Sequence, residues 1–222
     1  VKISAIIQAR ALAYIELYDL DPRGQTFFPD TIKQIQQRYG FLQVPKIGDA
    51  EEQKGLELKT GKLGNKVIDS LKIFPNLFVL ETHSNTTDSR IVLEEMFDWA
   101  KRELGITYEP SMVLRWGYVS ILTFYSDHNL IELASSPAAK LAAKMSKAVS
   151  EIWEEPFVFE ARSLSIGHDP LTHKNGIASL LITPRADIPF SENKFYSEAP
   201  LPTDMHIKFL EEFEADTLAA SK

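Results

Sequence analysis

An imidazole beside a carboxylate is a common arrangement for moving a proton or holding a metal. The carboxylate sets the ring's tautomer and raises its basicity. Four of the five histidines of this chain lie within two residues of an acid: His83 with Glu81, His128 with Asp127, His168 with Asp169 and His206 with Asp204. With 31 acidic residues in 222, several such neighbours arise by chance, so adjacency alone selects none of them.

Glu81 and His83 form the sharpest pair. They end the run Leu77-Phe78-Val79-Leu80-Glu81-Thr82-His83, and on a strand residues i and i+2 share one face. Ser84, Thr86, Thr87 and Asp88 follow at the start of a helical pattern, where free backbone N–H groups favour an anion. The chemistry this implies is a small hydrolase or phosphate-handling site built from Glu81, His83 and Asp88. The simpler reading is a polar strand end followed by a helix cap.

His168, Asp169 and His173 share one loop, with Asn175-Gly176 at its exit. Three ligands there would suit a metal-dependent nuclease if the loop folded back. No helix or strand holds their spacing, unlike a His-Glu-x-x-His pair, and a solvated loop is the simpler expectation. No metal or other cofactor is therefore expected. A glycine-rich phosphate loop, a Gly-x-Ser-x-Gly elbow and a dinucleotide fingerprint are all absent from the sequence, which argues against the common nucleotide-binding and serine-hydrolase designs.

The elements that must position these groups read as follows. Ala11 to Leu20 alternates as a strand, and Asp21-Pro22-Arg23-Gly24 makes a turn. Phe28, Ile32, Ile35 and Tyr39 recur at helical spacing up to Gly40. A polar connector spans 43–53. Strands are expected over 56–59, 67–74 and 77–83, with Gly61, Gly64-Asn65 and Pro75-Asn76 at turns. A helix over 88–104 carries Leu93, Met96, Phe97, Ala100 and Leu104 inward and ends at Gly105. A strand over 118–125 precedes a helix begun by Ser136-Pro137, with Leu141, Met145, Ala148, Val149 and Ile152 turned inward. Segments 157–166 and 177–183 read as a hairpin around the 167–176 loop. A short strand near Phe195 and a helix over 203–218 complete the pattern.

Two stretches resemble each other. Asn76-Leu77-Phe78-Val79-Leu80-Glu81 is echoed by Asn193-Lys194-Phe195-Tyr196-Ser197-Glu198, Thr87-Asp88 by Thr203-Asp204, and Leu93-Glu94-Glu95 by Leu210-Glu211-Glu212. The expected fold class is α+β, a largely antiparallel sheet with helices on one face. It would be one compact domain over 1–222, containing two pseudo-symmetric β-α-β-β-β-α halves over 11–108 and 113–220. In this alignment Glu81 meets Glu198, but His83 meets Pro200, so a shared role for the carboxylates would be structural.

Composition narrows the partners. A formal charge of −7 argues against general nucleic-acid binding. The chain has no cysteine, which removes disulfides and thiolate sites and fits a cytoplasmic location. No apolar run reaches the roughly 20 residues of a membrane span, and Ile3, Ala5, Ile6 and Ile7 are too few for a signal-peptide core. Lys140, Lys144 and Lys147 share a helix face, and Glu211, Glu212, Glu214 and Asp216 lie in the last helix. Such faces suit solvent or a complementary contact in an oligomer. Arg185 and the segment from Pro189 to Tyr196 combine aromatic, apolar and charged groups ahead of Pro200 and Pro202 and could serve as a docking edge. Missing catalytic motifs and abundant core-forming pattern together point to a non-enzymatic protein-interaction or assembly module. Its expected partner is another protein or a second copy of itself.

Overall fold

The computed structural model describes residues 1–24, 28–45, 55–169, 171 and 177–220. Their order is β1 (Lys2–Tyr14), α1 (Leu17–Leu20), α2 (Phe28–Tyr39), β2 (Leu56–Leu63), β3 (Lys66–Phe74), β4 (Leu77–Thr82) and α3 (Thr86–Glu103). Then come β5 (Arg115–Tyr125), α4 (Leu130–Ala134), α5 (Ser136–Trp153), β6 (Leu164–Ile166), β7 (Leu180–Pro184), β8 (Lys194–Ala199) and α6 (Thr203–Ala220). The fold is α+β, built on open antiparallel β-sheet.

Residues divide into two compact units. The first is Ile6–Ser120 with Pro200–Thr203; the second is Val1–Ala5 with Ile121–Ala199 and Asp204–Lys222. Each contains the element sequence βααβββα. Within the first the strand order is β2-β3-β4-β1, and within the second it is β6-β7-β8-β5.

In the first unit, alternation along β1 buries Ala9, Ala11 and Ala13 on one side. β1 pairs with β4 so that Arg10 lies opposite Glu81, and β3 places Ser70 opposite the other side of Glu81. The β2–β3 hairpin turns at Gly64, whose φ of 58° is one that glycine adopts without strain. Leu58, Ile68, Leu71 and Leu80 from the strands meet Ile32 and Ile35 of α2 and Val92, Leu93, Met96 and Phe97 of α3 in one core. Each such side chain contributes about 1.5–3 kcal/mol through removal from water. The expected α3 stripe is therefore the buried one, with Leu104 half-buried at its end. Tyr39 closes this core: its ring meets Trp99 edge-on at 5.8 Å and its hydroxyl donates to Glu95 at 2.6 Å.

The second unit has a smaller core. Leu122 and Phe124 of β5, Leu130 and Ile131 of α4, Ile182 of β7, Phe195 of β8 and Leu210 of α6 compose it. Phe124 and Phe195 stack with centroids 5.3 Å apart.

Several expected elements are reshaped. The first strand starts at Lys2 rather than Ala11, and the end of the expected strand forms the short helix α1. Gly61 lies inside β2 and not at a turn; a Cβ there would come within 2.7 Å of the Phe41 ring. The 157–166 strand shrinks to β6, pairing Leu164 to Ile182 and Ile166 to Leu180. The largest difference is in α5: Leu141, Met145 and Ile152 face solvent, and Ala142 alone is buried among its described side chains. The connector from 46 onward, His173 and Asn175-Gly176 lie outside the described residues.

Candidate functional site

The carboxylate of Glu81 is buried at the end of β4, between β1 and β3. Arg10 donates Nε to it at 2.8 Å, and Gln8 donates its side-chain amide to the other oxygen. Both donors come from β1. Gln8 and Arg10 lie on one side of that strand because they are two apart, and Arg10 stands directly across from Glu81 in the ladder. Both oxygens of Glu81 are thus occupied by fixed donors.

His83 lies one residue beyond β4 and points elsewhere. Its Nδ1 sits 2.6 Å from the Ile7 carbonyl oxygen, and its Nε2 sits 3.3 Å from Asp69 Oδ1 on β3. A carbonyl can only accept, so Nδ1 carries the proton in that contact. The ring is more than half exposed and has the Asp69 carboxylate, not Glu81, as its acidic neighbour.

Asp88, in the first turn of α3, pairs with Lys66 of β3 at 2.6 Å. The hydrogen bond from Lys66 holds its carboxyl below the usual range against the opposing effect of burial, with Ser84 and the lysine charge assisting. The cap of α3 is Asn85, whose Oδ1 accepts from the Asp88 N–H at 2.7 Å. Glu81, His83 and Asp88 therefore sit in three separate pairings, Arg10–Glu81, Asp69–His83 and Lys66–Asp88, along one strand end.

Beneath them runs a buried hydroxyl network. Ser89 donates to the Ala9 carbonyl at 2.8 Å and lies 2.9 Å from Thr82 Oγ1. Thr86 and Thr203 exchange bonds: the Thr86 N–H donates to Thr203 Oγ1 at 3.1 Å, and the Thr203 N–H donates to Thr86 Oγ1 at 2.9 Å. Each hydroxyl serves an N–H that opens a helix and would otherwise lack an intrahelical partner.

In the second unit the counterpart of this strand end is chemically different. Glu198, aligned with Glu81, accepts from the Tyr196 hydroxyl at 3.2 Å. His206 is fully buried, its Nε2 2.9 Å from Ser197 Oγ, while Ser197 donates its own proton to the Leu181 carbonyl at 2.9 Å. With that hydroxyl proton committed, Nε2 of His206 is the donor in the pair. The geometry ties α6 to β8 and gives the serine no base to activate it. Sequence reading paired His206 with Asp204 and missed Ser197. The signal was present in the helical spacing, because His206 stands one turn into α6 as the buried Ser89 does in α3.

His168 lies near the Asp169 and Ile177 carbonyl oxygens, at 3.2 and 3.3 Å from its two ring nitrogens. Among the described residues no group of three or more His, Asp or Glu side chains is arranged to hold a metal. Nor is any described helix long and apolar enough to cross a membrane.

Two further surfaces stand out. In the first unit a cavity of about 470 Å³ opens between α1, α2 and α3, floored by Ile73 and Phe78 and walled by Ile32, Met96 and Ala100. Its size lies in the range of small-ligand pockets. In the second unit α5 exposes Leu141, Met145 and Ile152, and the segment beside it exposes Val158. That segment is held to α5 by serines. Ser150 accepts the Phe157 N–H at 2.9 Å, and Ser146 accepts the Phe159 N–H at 2.8 Å. Compared with family models, curated proteins and solved structures, the chain matches none.

Proposed function

We propose that the chain is a protein-interaction or assembly module rather than an enzyme, and that α5 carries its contact surface. One observation supports this reading above all. Leu141, Met145 and Ile152 are 59%, 43% and 75% exposed, and they fall at i, i+4 and i+11, on a single helical stripe. The corresponding helix of the first unit, α2, buries Ile32, Ile35 and Tyr39 instead. Contiguous exposed apolar surface on a folded chain is characteristic of a contact face. The pairings of Glu81, His83 and Asp88 with separate partners favour a structural role for that strand end.

The two units are read here as copies of one βααβββα module. α3 and α6 are each 18 residues long. Thr86 and Thr203, which open them, are 117 residues apart; the same spacing separates Asn76 from Asn193 and Leu93 from Leu210. Burial along β4 and β8 agrees at every position except Glu81 and Glu198. In this reading one copy covers its second helix internally and the other leaves it free for a partner.

The test is a comparison of the chain with Met145→Glu. Met145 is exposed, so the variant should unfold at an unchanged denaturant midpoint. A stoichiometric complex, with itself or with another protein, that this substitution abolishes supports the reading. A complex of undiminished strength in the variant contradicts it.

A further inference from the structure

From the charges flanking the α5 stripe, we infer that the occupant of this face is α5 of a second copy of the chain, packed antiparallel across a twofold axis. The inference rests on the reading of α5 as a contact face and names its partner. Leu141, Met145, Ala148 and Ile152 are spaced four, three and four residues apart, the alternation of a helix–helix seam. One flank of the seam, Ala142 and Val149, turns toward the chain's own interior, where Ala142 is buried and Val149 half-buried. The other flank lies in solvent and carries Lys144 and Glu151, seven residues apart and both exposed.

That flank is self-complementary in one orientation only. With two α5 helices antiparallel, Leu141 of one copy meets Ile152 of the other and Met145 meets Ala148. Lys144 then lies beside Glu151 of the second copy, and symmetry repeats the pair. Parallel pairing at the same register brings Lys144 beside Val149 and leaves both charges unmatched. Charges at such flanking positions select partner and orientation in paired helices. Among the described residues Glu151 lies 4.0 Å from Lys147 of its own helix. Lys140 at one end of α5 and Glu154 at the other extend the same polarity.

Sedimentation equilibrium of the full chain, with Lys144→Glu, Glu151→Lys and the double variant, tests this. Each single reversal exchanges two attractions for two repulsions between exposed groups. The expected result is a dimer whose dissociation constant rises about thirty-fold in either single variant and returns to within a few-fold of the parent in the double one. A dimer indifferent to both reversals, or one not restored by the double variant, overturns the antiparallel pairing. So does a parent chain that stays monomeric up to millimolar concentration. In the monomeric case the broader reading is judged separately. It stands if Met145→Glu abolishes a stoichiometric complex with another protein, and falls if Met145→Glu leaves such a complex intact or none forms.

Discussion

Arg10→Met is the substitution that asks most directly whether Glu81 is a structural support. The Glu81 side chain is 7% exposed, and its charge is met by Arg10 Nε at 2.8 Å and by the Gln8 amide. Removing the guanidinium leaves a buried carboxylate with one neutral donor. Losing one partner of a fully buried pair costs about 3–5 kcal/mol. Arg10 itself is 35% exposed and water can replace part of its role, so the cost here should be about 2 kcal/mol. Glu81→Leu removes the charge from the other side. The double variant, with neither charge, should be about 1–2 kcal/mol more stable than the two single costs added together. His83→Ala, whose ring is largely exposed, should change stability by less than about 0.5 kcal/mol. Urea unfolding followed by tryptophan fluorescence measures all four. An Arg10→Met cost below about 0.5 kcal/mol, or costs that simply add, would refute the reasoning.

Thr123 Oγ1 is buried without a hydrogen-bond partner among the described residues. Thr123→Val should therefore leave stability unchanged or raise it by about 1 kcal/mol, read from the urea midpoint; a clear loss would mean the hydroxyl is satisfied. Asp88 titrates below the ordinary carboxylate range, so its contribution is present above about pH 4 and is lost as pH falls through its lowered value. Unfolding free energies between pH 2 and 6 should show this limb shrinking in Lys66→Met. Tyr39 behaves oppositely. Burial, with the bond to Glu95 adding, pushes its hydroxyl well above the ordinary value. Its contribution is intact below about pH 10 and declines as pH rises beyond that, a decline that Tyr39→Phe should remove.

What the sequence disclosed followed from local rules. Glycines with positive φ end α2 at Gly40 and follow α3 at Gly105, where the helical pattern stopped. The α3 stripe was readable because Leu93, Met96, Phe97 and Ala100 are large or tightly spaced enough to demand burial. α5 misled for a physical reason. Periodicity shows that Leu141, Met145 and Ile152 share a side, but it does not show whether the same chain supplies the cover. The side that docks internally is marked by Ala142, Ser146 and Ser150, small residues that read as neutral in the sequence. At the candidate site, Glu81 was found by its position at a strand end. Its partners Gln8 and Arg10 come from β1, some 70 residues away, and no local pattern names them. The Thr-Asp echo also slipped by one residue. α3 and α6 open at Thr86 and Thr203, so Asp88 aligns with Met205 and the Lys66–Asp88 pair has no counterpart in the second unit.

Hydrogen exchange along α5, measured on dilute and on concentrated chain, tests the central claim most directly. If α5 is the contact face, amides between 138 and 152 should exchange more slowly as the assembled fraction rises, while α2, whose apolar side is already covered, should exchange at the same rate throughout. An assembled species in which α5 exchanges as fast as in the dilute monomer would contradict the account.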